Sequence, residues 1–183
     1  VYGLGFFKPT DQKLGVKVNY KQSKRAGYLD LEFLVVEKST FGGNLGPSFL
    51  PERGFLFAGT AVERNFLGRG WIVQASGTIT TTLRLWFLNL SLIDPHVLDT
   101  DLLVGTSFSR VHDSIPSLGF ARDTLGANLN LSHPVGLRQL RATLSYSFAT
   151  VELSPENPNA VRIKGSTDGA WRKSRVGLGL QWD

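Results

Sequence analysis

The segment FLFAGTAVERNFLGRGWIVQASGTITTTLRLWFLNLSLI, residues 55–93, decides the fold of this chain. Apolar or small residues alternate with polar ones over 73–80, and less regularly over 86–92. A period of two is typical of a β-strand with one apolar and one polar face. The nine residues ERNFLGRGW, 63–71, contain glycines that permit positive φ and therefore predict a tight turn between two strands.

The composition narrows the classes of protein to which the chain can belong. The 183 residues suit one domain, or one domain with a small appendage. There is no Cys, which excludes disulfides and thiolate sites. No apolar run approaches the roughly 18 residues of a membrane-spanning helix, but strands could still cross a membrane. The net charge of +5 is scattered along the chain and forms no basic stripe, so nucleic acid is not an expected partner.

The strand pattern divides the chain into an N-terminal hairpin and a longer series of strands. The alternation over 14–20 and the apolar run over 28–37 predict a hairpin, separated by a polar bend. From residue 40 onward the pattern is a meander of about eight antiparallel strands, two of which are the stretches of alternating residues on either side of the polar loop in the opening segment. The other predicted strands are 40–50, 55–64, 101–111, 120–131, 137–151 and 170–182.

Alternation shows that the strands have two faces but does not say which face points outward. The alternatives are a transmembrane barrel with lipid outside and a soluble, lipocalin-like barrel. Polar residues at the expected interior positions favour the membrane barrel, as do aromatics near strand ends and turns that alternate between short and long. Arg141, Lys173 and Arg175 are expected inside, paired with polar groups. The expected polar interior is Gln74, Ser76, Thr78, Asn128, Asn130, Thr143, Ser145, Ser147 and Arg175, and the expected interface aromatics are Trp71, Trp86, Tyr146, Phe148 and Trp182.

The N-terminal hairpin carries a first family resemblance. The tetrapeptide LGFF at 4–7, followed by two strands of which the second ends in Val-Val-Glu at 35–37, resembles the closing half of a POTRA domain. POTRA domains precede the barrel in BamA-like and TamA-like outer-membrane assembly proteins. The resemblance implies a POTRA-like periplasmic remnant over 1–39 and an outer-membrane β-barrel over 40–183.

The barrel region resembles the same superfamily at several places in order along the chain. The turn RNFLGRG, 64–70, is similar to a periplasmic turn of BamA-like barrels, and LIDP, 92–95, to the next one. The segment RVGLGLQW, 175–182, fits the C-terminal β-signal pattern. The residues that carry the turn motif are Asn65, Phe66, Gly68, Arg69 and Gly70, and those of the closing-strand signal are Arg175, Gly177, Leu180 and Trp182.

The chain also departs from the family pattern. Larger members have many more strands, and the family's Val-Arg-Gly-Phe/Tyr motif has no counterpart here. The even number of strands favours a miniature barrel closed by its last strand, and the alternative is a fragment of a larger protein. An even number also places both termini in the periplasm. The turns at 65–70, 94–100 and 132–136 are then periplasmic, and 152–169 lies outside.

Two sets of residues are candidates for function. Glycine weakens a strand and proline cannot donate to a ladder, so the first and last strands are predicted to form a weak seam. The apolar tip between the fifth and sixth strands is expected to contact lipid or a partner chain, unless it folds over the barrel mouth. The seam residues are Gly42, Gly43, Gly46, Pro47, Gly177 and Gly179, and the tip residues are Ile115, Leu118 and Phe120.

The sequence does not indicate catalysis. His96, His112 and His133 lie in or beside different connections, without metal-ligand or triad spacing, and are expected to be solvated loop residues. We therefore expect a non-enzymatic outer-membrane barrel of a Gram-negative bacterium, with no cofactor and no metal. Resemblance implies a role in outer-membrane protein assembly or lipid organisation through the seam. The alternative is a structural or lipid-binding barrel, oligomeric through its outer loops, without insertase activity. The implied partners are outer-membrane lipids, client outer-membrane proteins and further copies of the chain.

Overall fold

The computed structural model describes residues 16–25, 27–36, 38–51, 53–82, 84–115, 119–155 and 169–182. The chain divides into two compact units, with the boundary between Phe41 and Gly42. No helix in these described ranges is long and apolar enough to cross a membrane.

The first unit contains the hairpin that the sequence predicts. Strands β1 (Val16–Gln22) and β2 (Leu29–Val35) pair antiparallel, from Val16 opposite Val35 to Gln22 opposite Leu29. Gly27 has a φ of 85° in the connecting turn, a conformation that glycine adopts without steric cost. The assignment of this hairpin to a POTRA-like remnant, and the division of the chain at residue 39, stay predictions.

The second unit is one eight-stranded sheet in which each strand pairs with its neighbours in the chain, in the order β10-β9-β8-β7-β6-β5-β4-β3. The strands are β3 (Phe41–Leu50), β4 (Gly54–Phe66), β5 (Trp71–Thr80), β6 (Leu85–Asp94), β7 (Leu103–Ile115), β8 (Phe120–Val135), β9 (Leu137–Pro155) and β10 (Gly169–Trp182). A short 3₁₀ turn over Val97–Asp99 precedes β7. The predicted all-β class and the strand number are confirmed.

Three strands continue four residues beyond the ends that the sequence predicts. β7 continues to Ile115, β8 to Val135 and β9 to Pro155, so the expected loop at 112–119 and the expected turn at 132–136 are largely strand. Only Gly136, with a φ of 71°, separates β8 from β9. The polar residues that suggested loops are tolerated in strands because they find partners on the neighbouring strands.

The sheet is open in the described part of the chain. β3 and β10 lie at opposite ends of the strand order, and each pairs with one neighbour. The closed barrel and the β3–β10 pairing that the sequence predicts are therefore not formed in this structure. Closure requires a matching tilt and stagger of all strands, and the alternation of apolar and polar residues specifies neither.

The register sorts the side chains of the sheet onto two faces, because residues directly opposite each other on paired strands point to the same side. Every predicted interior residue lies on one face, which we call the polar face. The polar face includes Gln74, Ser76, Thr78, Asn89, Ser107, Asn128, Asn130, Thr143, Ser145, Ser147 and Arg175. The opposite, apolar face includes Phe57, Ile79, Leu88, Leu90, Leu92, Phe108, Leu125, Leu129, Leu131, Leu144, Tyr146, Phe148, Val176, Leu178 and Leu180.

Candidate functional site

The apolar face is exposed over most of its area. Leu90 in the middle of the sheet is 49% exposed, and Leu178 on the edge strand β10 is 84% exposed. Buried apolar side chains in the described residues are limited to Ala121 and Val151. A water-soluble sheet of this size would cover such a face with a second layer, so the face must contact something apolar other than this sheet.

One end of the apolar face is bounded by an aromatic and charged cluster. The His112 ring stacks on Trp86 at 6.0 Å between centroids, and its Nδ1 lies 3.1 Å from Asp123 Oδ1. Arg110 lies over the same Trp86 ring at 5.3 Å. His112 is thus a half-buried residue of β7 and not the solvated loop residue that the sequence suggested, because Trp86 and Asp123 on the neighbouring strands hold it. His133 lies in β8 rather than in a turn, and only His96 lies in a connection.

At the opposite end of the apolar face, two of the predicted interface aromatics lie at strand ends. Trp71 is the first residue of β5, with Arg69 at 5.1 Å over its ring, and Trp182 is the last residue of β10. Tyr146 and Phe148, expected near a strand end, lie instead in the middle of β9, since that strand continues to Pro155. These two aromatics belong to the apolar band itself.

The polar face is tied together by hydrogen bonds between strands. Asn128 Nδ2 donates to Ser107 Oγ at 3.2 Å, which joins β8 to β7. Arg141 Nε donates to Ser132 Oγ at 3.3 Å, and Arg141 Nη2 donates to the Asp101 carbonyl at 3.2 Å. The prediction that Arg141 pairs with polar groups on this face agrees with these contacts.

The strongest charge contact on the polar face joins residues that the sequence did not connect. Arg53 Nη1 lies 2.7 Å from Asp113 Oδ1, and Arg122 Nη2 lies 3.6 Å from Asp113 Oδ2. Arg53 and Asp113 are 60 residues apart, so no local pattern could have indicated the pair. Its geometry is that of a structural ion pair. No group of three or more His, Asp or Glu with the geometry to hold a metal ion occurs among the residues that the structure describes.

The turn between β4 and β5 has the glycine geometry that its sequence predicts. Gly68 and Gly70 both have a φ of 71°, and Leu67 between the strands has a φ of 56°. Asn65 fixes the turn, because its Oδ1 accepts a hydrogen bond from the Gly70 N–H at 2.8 Å. The Asn65 N–H in turn donates to Glu63 Oε1 at 2.9 Å. The side chain of Asn65 therefore replaces a backbone partner within the turn.

The predicted seam residues lie on the two edge strands and are not brought together. A Cβ added at Gly42 or Gly46 of β3, or at Gly179 of β10, would meet no atom within 4 Å. Gly177 differs, because a Cβ there would lie 2.5 Å from Ser145 Oγ. The Ser145 hydroxyl instead donates to the Gly177 carbonyl at 3.3 Å, so a side chain at position 177 would require the Ser145 hydroxyl to move.

The remaining predicted sites can be placed only in part. On β10, Leu180 and Trp182 of the closing-strand signal lie on the apolar face, while Arg175 lies on the polar face. Of the predicted outer-loop contact, Phe120 begins β8 and its backbone pairs with Ile115. Leu118 and the Ile115 side chain lie outside the described residues, so contact of this loop with lipid or a partner stays a prediction.

The sequence profile of the Omp85 superfamily domain matches residues 65–183. The chain belongs to the Omp85 superfamily. This confirms the resemblance to BamA-like and TamA-like proteins that the turn and closing-strand motifs suggested. The match includes the tight turn and all strands from β5 to β10.

A solved structure shares the fold of this Omp85 chain. BamA from Haemophilus ducreyi lacking POTRA domains 1–3 superposes with a TM-score of 0.70 at 16% sequence identity. The superposition covers 99% of this chain and 36% of that chain, so the chain spans about a third of the length of the protein that it matches. A comparison with curated protein sequences gives no match.

Proposed function

We propose that this protein is a non-enzymatic component of the outer membrane of a Gram-negative bacterium, with the apolar face of its sheet in contact with lipid. The observation that carries this proposal is the long, exposed apolar face opposite a hydrogen-bonded polar face. Asp123 and His133 bound that face on β8 and are ten residues apart. This separation is about 34 Å along the strand and about 26 Å across a membrane for a strand tilted by about 40°. Outer-membrane sheets carry an apolar band of about that height.

The proposed topology follows from the turns of the sheet. The tight turn at 65–70, the connection after β6 and the Gly136 turn all lie at one end of the strands. We assign that end to the periplasm, with both termini, because the longest connection of the sheet, between Pro155 and Gly169, joins strands at the opposite end, and the longer loops of outer-membrane barrels face outward. A cysteine at His96 should then be protected from an impermeant thiol reagent in intact cells, whereas a cysteine at Thr82, at the opposite end of β6, should react. Reaction at both positions from outside would contradict the topology.

The activity that we propose is assistance to outer-membrane protein assembly, or local disturbance of lipid, at the weak edges β3 and β10. Membership of the Omp85 superfamily supports this role, and so does the composition of β3. Pro47 cannot donate to a ladder, and the positions of Gly42 and Gly46 leave open space that an incoming strand could fill. An unpaired edge is a template for the backbone of another strand.

A folding assay tests the activity. The purified protein is reconstituted into vesicles, and the folding rate of a second, urea-unfolded outer-membrane barrel protein is measured in those vesicles. We expect faster folding than in vesicles without the protein. Pro47→Val should increase the acceleration because it adds an N–H donor to the edge with which an incoming strand would pair. Pro134→Val, the same change on the interior strand β8, is the matched control and should leave the rate unaltered. A rate equal to that of empty vesicles would instead favour a structural or lipid-binding protein without insertase activity.

A further inference from the structure

Arg110 places a positive charge on the apolar face of the sheet. On β7 it lies directly opposite Leu88 of β6 and Leu125 of β8, and all three residues are exposed. In a bilayer, an arginine at the level of such leucines is unfavourable unless its head group reaches the interface or an anion. The surroundings of the guanidinium therefore determine its role.

The Arg110 side chain extends toward the end of the strands at which Trp86 lies, which the proposed topology places outside the cell. Its guanidinium carbon lies 5.3 Å from the centroid of the Trp86 ring. Trp86 precedes Leu88 by two residues on β6, so it lies about 7 Å closer to that outer end than the Arg110 backbone. The ring face attracts the cation but accepts no conventional hydrogen bond from its N–H groups. Within the described ranges, Arg110 forms no ion pair with a carboxylate.

Two carboxylates lie one row of residues closer to the outer end than Arg110. Asp123 contacts His112 Nδ1, and Glu152 lies opposite Asp123 on β9. A carboxylate is stable at that level only where water reaches it. The guanidinium of Arg110 therefore lies between the apolar band and water, at the level at which the head groups of a leaflet lie.

Arg172 on β10 shares the level of Arg110. It lies opposite Thr150, and Thr150 lies opposite Leu125. Arg110 and Arg172 therefore belong to one row of the apolar face, three strand spacings or about 14 Å apart. Both side chains are exposed. Two exposed cations at one depth are complementary to the layer of phosphate groups in a leaflet.

We propose that Arg110, held over Trp86, binds the phosphate group of a lipid in the outer leaflet. This inference rests on the membrane location and the topology proposed above, and it names the lipid group and the residue that binds it. A guanidinium binds phosphate through two N–H groups at once, and the phosphate compensates the charge that acyl chains cannot. The acyl chains of such a lipid would lie over Leu90 and Phe108, the next row toward the periplasm.

Quenching of a fluorophore by labelled lipids tests the site in a chain that has no natural cysteine. The fluorophore is attached to Leu90→Cys, beside the expected acyl chains, in phosphatidylcholine vesicles. Phosphatidic acid and phosphatidylcholine that carry the same nitroxide-labelled chain are then compared as quenchers. We expect phosphatidic acid to associate at this position about fivefold more strongly, the factor that one basic residue contributes at an anionic membrane surface.

Matched variants separate the site from the general attraction of a protein with a net charge of +5. Arg110→Gln should abolish the preference for phosphatidic acid at the Leu90→Cys label. Arg122→Gln removes the same charge from the polar face, where Arg122 contacts Asp113, and should leave the preference unaltered. A fluorophore at Leu144→Cys, near the opposite end of the apolar face, should show no such preference. Quenching by phosphatidylcholine should be the same in all variants, which shows that they remain inserted.

The outcomes distinguish the possible roles of Arg110. Equal association of the two lipids at the Leu90→Cys label would show that Arg110 reaches only water, and would overturn the proposal. An equal preference at both labels, or one that survives Arg110→Gln, would show diffuse attraction and would also overturn it. Loss of the preference on adding inorganic phosphate at constant ionic strength would replace lipid by soluble phosphate as the occupant. Absence of quenching by either lipid at both labels would contradict the membrane location itself, whereas the other outcomes leave that location intact.

Discussion

The polar and apolar faces of the β3–β10 sheet alternate along every strand, yet they differ in what their side chains contact. On the polar face, Asn128, Arg141 and Asp113 all find partners on neighbouring strands. On the apolar face, Leu90 and Leu129 point away from the sheet and remain 49% and 39% exposed. The side chains of the polar face therefore bind one another across strands. Those of the apolar face require an apolar partner outside the sheet.

The largest effect is expected from a charge placed on each face of β8. Leu129→Arg should lower the free energy of unfolding in bilayers by about 2–4 kcal/mol, because the guanidinium would enter the middle of the apolar band. Asn130→Arg, the neighbouring residue on the polar face, should change it by less than about 0.5 kcal/mol. Urea unfolding of both variants in bilayers measures the difference. Equal effects of the two substitutions would mean that the faces do not differ in environment.

The two arginines that contact Asp113 on the polar face should differ in how much they contribute to stability. Arg53→Ala should cost about 1–3 kcal/mol, since it removes the short, half-buried contact to Asp113. Arg122→Ala should cost less than about 1 kcal/mol, because its contact to the same carboxylate is longer and its side chain is more exposed. Urea unfolding in bilayers measures the change in the free energy of unfolding for both variants. A larger loss for Arg122→Ala would show that this geometry does not determine the stability of the polar face.

A smaller effect is expected for substitutions of two glycines. At these positions the backbone conformation, and not the face of the sheet, determines the cost of an added side chain. Gly70→Ala should cost about 1–2 kcal/mol, because φ at this position is 71° and a Cβ is strained there. Gly179→Ala on β10 should cost less than about 0.5 kcal/mol, since the added Cβ meets no atom within 4 Å. Thermal unfolding of the two variants provides the comparison. If Gly70→Ala were as stable as the unmodified protein, the turn would not need its glycine.

The alternation of residues was sufficient to predict the strand number and the two faces, because burial on one side requires a period of two. It was not sufficient for the outer ends of β7 and β9. His112 was expected in a loop, and only its pairing with Asp123 on the neighbouring strand explains why it extends the sheet. The Arg53–Asp113 contact was missed for the same reason.

The predicted closure of the sheet is not formed in this structure, and the reason differs from that for the missed contacts between strands. The last strand was expected beside β3, but these two strands lie at opposite ends of the described sheet. Alternation cannot set the tilt and stagger that determine how many strands complete a ring. The partner of each edge strand is therefore not encoded in any one segment of the chain.

A nitroxide scan of β8 tests most directly that the apolar face contacts lipid. Single cysteines are introduced at each residue from Leu125 to Leu131, labelled, and reconstituted into bilayers, where collisions with oxygen and with a water-soluble nickel chelate are measured. Oxygen, which concentrates in lipid, should have its maxima at Leu125, Ala127, Leu129 and Leu131. The nickel chelate should be excluded from those four positions. Loss of the period of two, or access of the chelate to those four residues, would contradict the account.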